Sequence, residues 1–214
     1  VKYIPSGAGL GGGSSNAATL LMALNRLEAL NLSIGDMEAI AAKVGSDVPF
    51  FLHGGQAKVS GTGDVIEPDM RLIDCPYVVL ILPNIHCSTA GVYGALDAQG
   101  AFDDLALVGN DDLRNIGHNR LLNAAMVVSP RLSKLYDQVS DVLDENVFMS
   151  GSGSTLFVPC HDVDAQQRIY SQLLGELPDF NGKLVSSEGK GQKMEIQTAT
   201  IEVYGEADAE TYPL

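Results

Sequence analysis

Apolar residues recur at helical spacing through Leu20, Leu21, Leu24, Leu27 and Leu30, which predicts a helix over residues 15–30. A second helix is expected at once. Ser33 with Asp36 reads as a capping box, Met37, Ile40, Ala41 and Val44 as the buried face, and Gly45 as the stop. Residues 56–60 and 65–67 flank Gly61-Thr-Gly-Asp64, a pattern that predicts two strands joined by a tight turn. Tyr77-Val-Val-Leu-Ile-Leu82 is an unbroken apolar run ending at Pro83 and reads as a buried strand, with helices expected near 90–97, 119–128, 131–144 and 163–175. Val147-Phe-Met149 and Thr155-Leu-Phe-Val158 bracket a glycine-rich turn as two more strands, and residues 1–4 read as a short opening strand. The fold class is α+β without an internal repeat. A domain boundary is expected near residues 68–76, where Pro68 and Pro76 enclose a loop-like segment.

The segment Ser6-Gly-Ala-Gly-Leu-Gly-Gly-Gly-Ser-Ser-Asn-Ala-Ala-Thr19 interrupts this pattern with five glycines in seven positions and then enters the first helix. It reads as an anion-binding loop. Glycines let backbone N–H groups approach a ligand closely, and the following helix aims unpaired amides and its positive dipole end at the same place. A Walker A loop is excluded, because that motif ends in Gly-Lys-Ser/Thr and no Lys or Arg lies between Lys2 and Arg26. Gly7-x-Gly9-x-x-Gly12 matches the dinucleotide fingerprint, but Glu28 falls within the helical pattern rather than at the end of a second strand. A flexible linker does not fit a loop fused to an amphipathic helix with Ser14, Ser15 and Asn16 as capping candidates.

Asp47 stands before Val48-Pro49 and admits two roles: a cap for the turn that contains Pro49, or a carboxylate that accepts the proton of an attacking hydroxyl. Gly151 and Gly153 can belong to a plain hairpin turn or to a loop that closes on the first one. Thr89 and Tyr93 lie four residues apart on one helical face.

Four segments, in this order, resemble the GHMP family of small-molecule kinases. Pro5-x-Gly-Ala-Gly-Leu-Gly-Gly-Gly-Ser-Ser-Asn-Ala-Ala18 is similar to the family's second motif. Gly45-Ser-Asp-Val-Pro-Phe-Phe51 is similar to the segment with the catalytic aspartate. Residues 83–93, with Ser88-Thr89-Ala90, resemble the substrate-pocket segment, and Met149-Ser-Gly-Ser-Gly-Ser-Thr155 the third motif. The likeness covers residues 1–175.

The resemblance implies a two-domain GHMP fold. Residues 1–70 would be the remainder of an N-terminal ATP-binding domain of the ribosomal protein S5 domain 2-like type. Residues 75–200 would form the C-terminal α/β domain, followed by an acidic tail over 201–214. It implies ATP bound by Pro5, Gly7, Gly9, Leu10, Gly11, Gly12, Gly13, Ser14, Ser15 and Asn16, with the Ser14 and Ser15 hydroxyls also reaching Mg2+. Asp47 becomes the general base. Thr89, Tyr93, Gly151, Ser152 and Gly153 become substrate contacts, Tyr93 in place of an aromatic that stacks on cytosine.

Within the family the motifs are closest to the branch that phosphorylates the 2-hydroxyl of a cytidine-diphosphate-linked methylerythritol in the non-mevalonate route to isoprenoids. Another small alcohol, or nucleotide binding without turnover, remains the alternative. Family members carry a further segment ahead of the position of Val1. It holds the first motif, with a lysine that pairs with the aspartate and contacts to cytosine, and it is expected upstream or on another polypeptide. Gly117-His-Asn-Arg-Leu121 matches its family counterpart in part, with Asn119 as a helix cap.

Composition limits the partners. Twenty-seven acidic against thirteen basic residues give a net charge of −14, which argues against nucleic acid and anionic membranes. Backbone amides and Mg2+ must then supply most of the positive charge for a polyphosphate. No apolar run is long enough to span a membrane and no signal peptide opens the chain, so a soluble cytoplasmic protein is expected. Cys75, Cys87 and Cys160 are scattered without a CxxC pair, and His53, His86, His118 and His161 show no metal-ligand spacing.

Overall fold

The computed structural model describes residues 7–55, 57–61, 63, 65–68, 77–99, 119–178 and 180–186. The opening strand, Pro5, Cys75, His118, most of the expected boundary segment and the acidic tail lie outside these residues. The described chain is α+β and falls into two compact units, one of residues 11–68 and one of residues 7–10, 77–99 and 119–186.

The unit of residues 11–68 holds helices α1 (Gly12–Leu27), α2 (Ile34–Ala41) and α3 (Phe50–His53) and the antiparallel hairpin β1 (Ala57–Ser60) and β2 (Val65–Pro68). The expected capping box is present: the Asp36 amide donates to Ser33 Oγ at 3.2 Å and the Ser33 amide to Asp36 Oδ2 at 3.0 Å. Asn25 closes the α1–α2 connection, donating to the Leu32 carbonyl at 3.1 Å and accepting the Leu32 amide at 2.9 Å. His53 pairs with Glu38 and so links α3 to α2. The core is small: Ala18, Ala41, Val48, Phe51 and Leu52, with Leu21, Met37 and Phe50 packed against it.

This core uses a narrower face than the apolar period suggests. Ile40 and Val44, expected inside, are exposed, Val44 by 65%, and Leu20, Leu24, Leu27 and Leu30 are exposed as well, Leu27 by 78%. Periodicity marks a stripe that needs cover, and the described residues cover only the part of it around Ala18, Leu21, Met37 and Ala41.

The second unit is a four-stranded antiparallel sheet with helices on one face. Its elements are β3 (Tyr77–Ile81), α4 (Thr89–Gln99), α5 (Leu121–Val128), α6 (Pro130–Val142), β4 (Phe148–Met149), β5 (Leu156–Cys160), α7 (Val163–Glu176) and β6 (Gly182–Ser186). The strand order is β4-β5-β3-β6. Alternation divides β3 between two cores. Val79 and Ile81 join Leu132, Val139, Leu156, Val158, Ile169 and Leu173 under the helices. Val78, Leu80 and Leu82 pack on the other face with Phe157, Ala8 and Leu10. Burial on both faces explains the unbroken apolar run at 77–82. β6 carries no such run and was not expected; it pairs with β3 from Tyr77↔Ser186 to Ile81↔Gly182, and Asn181 closes the ladder, donating to the Leu82 carbonyl at 2.9 Å.

Leu173→Ala is expected to destabilise the protein by about 2–5 kcal/mol, as truncation of a fully buried leucine does, whereas Leu27→Ala should stay within about 0.5 kcal/mol; denaturant unfolding separates the two. Hydrogen bonds from the Ser33 hydroxyl and amide hold the Asp36 carboxyl below its usual range. Asp36 therefore adds stability above the ordinary carboxylate pKa, and that contribution is lost as the pH falls through its lowered folded value. In Ser33→Ala the Asp36 titration, followed by carbon NMR, should move back up toward the ordinary value.

Candidate active site

Alternation organises the first glycine loop. Ala8 and Leu10 are buried against the sheet, while Gly9 between them takes a positive φ of 75°. A side chain there has no room: a Cβ on Gly9 would run into the Ser150 carbonyl and stand 2.9 Å from that of Gly153. From the other side, a Cβ on Gly151 would lie 3.1 Å from the Gly9 carbonyl. The two glycine loops therefore meet backbone to backbone. Ser150 Oγ donates to the Gly9 carbonyl at 2.7 Å, and the Thr155 amide to that of Ala8 at 3.3 Å. The close approach read from Gly151 and Gly153 is present, and the plain hairpin reading falls short of it.

Gly11, at φ 58°, is the N-cap residue of α1, and no side chain caps this helix. The helix starts three residues before the expected position. Ser14 and Ser15 lie inside its first turn and Asn16 just beyond it, and none of them caps it, because a left-handed glycine already turns the chain into the helix. The first amides of α1 thus have no side-chain acceptor among the described residues, and the first turn holds no acidic residue. Among the described residues, a Cβ on Gly12 or Gly13 would meet nothing within 4 Å, so none of them fills the space beside these glycines. An uncapped helix start next to open space suits an anion.

Asp47 sits half-buried in the turn that leads into α3. Its neighbours Val48 and Pro49 are buried and fix the turn, and its carboxylate accepts from Ser46 Oγ at 3.2 Å. The capping role does not materialise. Pro49 is the N-cap residue of α3, and no side chain bonds the helix start. The β1–β2 turn seats on the same segment, with Gly63 against the Ser46 carbonyl.

In the sheet unit, Ser88 Oγ accepts the Gly91 amide at 3.2 Å and starts α4. Exposed Thr89 is bonded to Ser152 of the second glycine loop, Oγ1 to Oγ at 2.9 Å. Tyr93, one turn on, is half-buried and packs against the helical core. Two further contacts fasten that loop. Ser154 Oγ donates to the Ile85 carbonyl at 2.5 Å, and Asn119 Nδ2 donates to the carbonyls of Met149 at 2.9 Å and Gly151 at 2.7 Å. Asn119 also accepts the Leu121 amide at 2.9 Å, but it stands one residue ahead of Arg120, the N-cap residue of α5, and its clamp on the loop was not legible from local sequence. His86, assigned no role from sequence, is exposed beside Gly7. Cys87 is buried and unpaired with any other cysteine, and burial pushes its thiol up against a smaller opposing hydrogen bond from Ser129.

Comparison with known proteins agrees with this geometry. The profile of the GHMP kinases N terminal domain matches residues 1–55, and that of the GHMP kinases C terminal domain matches residues 100–179. The 4-diphosphocytidyl-2-C-methyl-D-erythritol kinase of Exiguobacterium sibiricum is 39% identical over 186 residues, covering 81% of this chain and 63% of that protein. The enzyme of the same name from Bacillus mycoides is 36% identical over 182 residues, again 81% of this chain and 63% of that protein. The chain thus spans 63% of the length of these curated relatives. A crystal structure of 4-(cytidine 5'-diphospho)-2C-methyl-D-erythritol kinase superposes with a TM-score of 0.70 at 30% identity, covering 86% of this chain and 68% of that one. A homoserine kinase from Cytophaga hutchinsonii, at 19% identity and a TM-score of 0.63, shares the fold. By its two glycine loops, its two matching profiles and this structural likeness, the chain belongs to the GHMP kinase family.

Proposed function

We propose that the chain transfers the γ-phosphoryl group of ATP to the 2-hydroxyl of 4-diphosphocytidyl-2-C-methyl-D-erythritol, as the names of its relatives indicate for them. The observation that carries the reading is the start of α1, which no side chain among the described residues caps, in a chain of this family. The amides of Gly11, Gly12 and Gly13 hold the ATP phosphates, and the Ser14 and Ser15 hydroxyls add donors from the first helical turn. Asp47 orients the acceptor hydroxyl and takes its proton. The hydroxyl oxygen bonds to the γ-phosphorus, the bond from that phosphorus to the β,γ-bridging oxygen breaks, and ADP departs with the electron pair. Thr89, Ser152 and Tyr93 form the acceptor side, the Tyr93 ring lying against the cytosine.

Among the described residues no group of three His, Cys, Asp or Glu side chains converges to hold a metal ion. The residues present fit a magnesium ion that arrives on the nucleotide, since such an ion keeps water and phosphate oxygens and needs only one or two protein oxygens, here from Ser14 or Ser15. When bound, it neutralises charge on the phosphates. The protein works in the cytoplasm on this reading, and no helix among the described residues is long and apolar enough to cross a membrane.

The test is ADP release from Mg-ATP by the native polypeptide, with and without the cytidyl substrate. Substrate-dependent release is expected, and Asp47→Asn should lower kcat by about 10²–10⁴-fold with little change in the KM for ATP. Release driven equally well by homoserine, or an unimpaired Asp47→Asn enzyme, would overturn the reading. Gly12→Ala is expected to leave thermal stability intact, because its Cβ meets none of the described residues, yet to weaken ATP binding by about tenfold or more by filling the phosphate's space. Gly9→Ala should fail differently: forced apart, the loops lose about 1–3 kcal/mol of stability as well as ATP affinity.

A further inference from the structure

We propose that Asn119 is a positioning residue for the nucleotide loop and acts through Ser150. The proposal rests on the first glycine loop being the phosphate site. Asn119 enters α5, and its side chain makes three bonds at once: Nδ2 to the Met149 carbonyl at 2.9 Å and to the Gly151 carbonyl at 2.7 Å, and Oδ1 from the Leu121 amide at 2.9 Å. Two carbonyl oxygens can face only the amide nitrogen, which sets the orientation of the side chain. The two carbonyls belong to the residues on either side of Ser150. Both neighbours of Ser150 are therefore held by one side chain, which is itself held by the start of a helix.

Ser150 is 3% exposed, and its hydroxyl passes the constraint on, donating to the Gly9 carbonyl at 2.7 Å. Gly9 has no free space behind it, since the Ser150 and Gly153 carbonyls occupy the position a Cβ would take. A shift of Ser150 thus becomes a shift of Gly9, two residues before the left-handed Gly11 that starts α1. In this relay α5 acts as the fixed end and the nucleotide loop as the output. No group in it reaches the reacting atoms, so loosening it makes ATP order the loop on binding and raises the KM for ATP more than it lowers kcat.

The chemistry of asparagine supplies a discriminating variant. Aspartate has nearly the same shape and still accepts the Leu121 amide, but it cannot donate to either carbonyl. Asn119→Asp keeps the bond from the Leu121 amide and removes the clamp; Asn119→Ala removes both. With a fluorescent ATP analogue and Mg2+ as the probe, Asn119→Asp and Ser150→Ala of the native polypeptide should each weaken binding by about tenfold. The double variant should be no weaker than the weaker single variant, because both break one relay. Turnover of the Asn119→Asp enzyme at saturating ATP should fall less than its KM rises.

Wild-type affinity in Asn119→Asp, with only a lowered Tm in Asn119→Ala, would show a simple helix cap and overturn the proposal. So would effects of the two variants that multiply in the double variant. If Asn119→Asp does not fold, Ser150→Ala decides alone, since unchanged affinity there breaks the relay. A wild type that does not bind the analogue overturns the phosphate-site reading and this proposal with it, whereas a wild type that binds while Asn119→Asp binds equally overturns this proposal alone.

Discussion

The contact between Gly9 and the turn at residues 150–153 is the constraint on which the sheet unit's functional end depends. Two stretches of backbone lie where side chains would normally separate them, which is possible only because Gly9 and Gly151 have none. Around this contact the neighbours are placed by alternation. Ala8 and Leu10 are anchored in the core under β3 and β5, so the loop cannot drift off the sheet, and Ser150 and the Thr155 amide hold its carbonyls. The second loop in turn carries bonds to Asn119, Ile85 and Thr89. One short turn thereby ties together the nucleotide loop, the start of α5, the end of the β3 connection and the start of the helix that bears Tyr93.

Charge follows the same economy. With a net charge of −14, the protein has few cations to spare for a polyphosphate. The start of α1 offers an alternative that needs no lysine: a left-handed glycine begins the helix, no acidic residue occupies its first turn, and among the described residues no side chain caps it and none fills the space beside Gly12 and Gly13. A cap at that end would compete with the ligand for the same amides. The contrast with α2 is instructive. There Ser33 and Asp36 satisfy each other's amides in a capping box.

What the sequence disclosed and what it hid differ by range. The capping box at Ser33 and Asp36, the buried strand at 77–82 and the hairpin around Gly61 were legible because each is decided by residues close in the chain. The glycine loops were legible as loops, and their mutual approach as one of two readings of Gly151 and Gly153. The particular bonds were not. Ser150 meets Gly9 across 141 positions and Asn119 meets Gly151 across 32, and nothing in the local pattern of either residue reports such a partner. Gly182-Lys-Leu-Val-Ser186 went unread as a strand because it is an outer strand with neither an apolar run nor clean alternation. The helical period at Leu20, Leu24 and Leu27 was right about helix and misleading about burial, since period alone names a face and not its cover.

Hydrogen–deuterium exchange of the native polypeptide, with and without a non-hydrolysable ATP analogue and Mg2+, tests the central claim most directly. If the start of α1 holds the phosphates and the second loop braces Gly9 just ahead of it in the chain, amides of residues 11–16 and 150–155 should slow together on nucleotide addition. Unchanged exchange at 11–16, or slowing confined to segments outside both loops, would contradict the account.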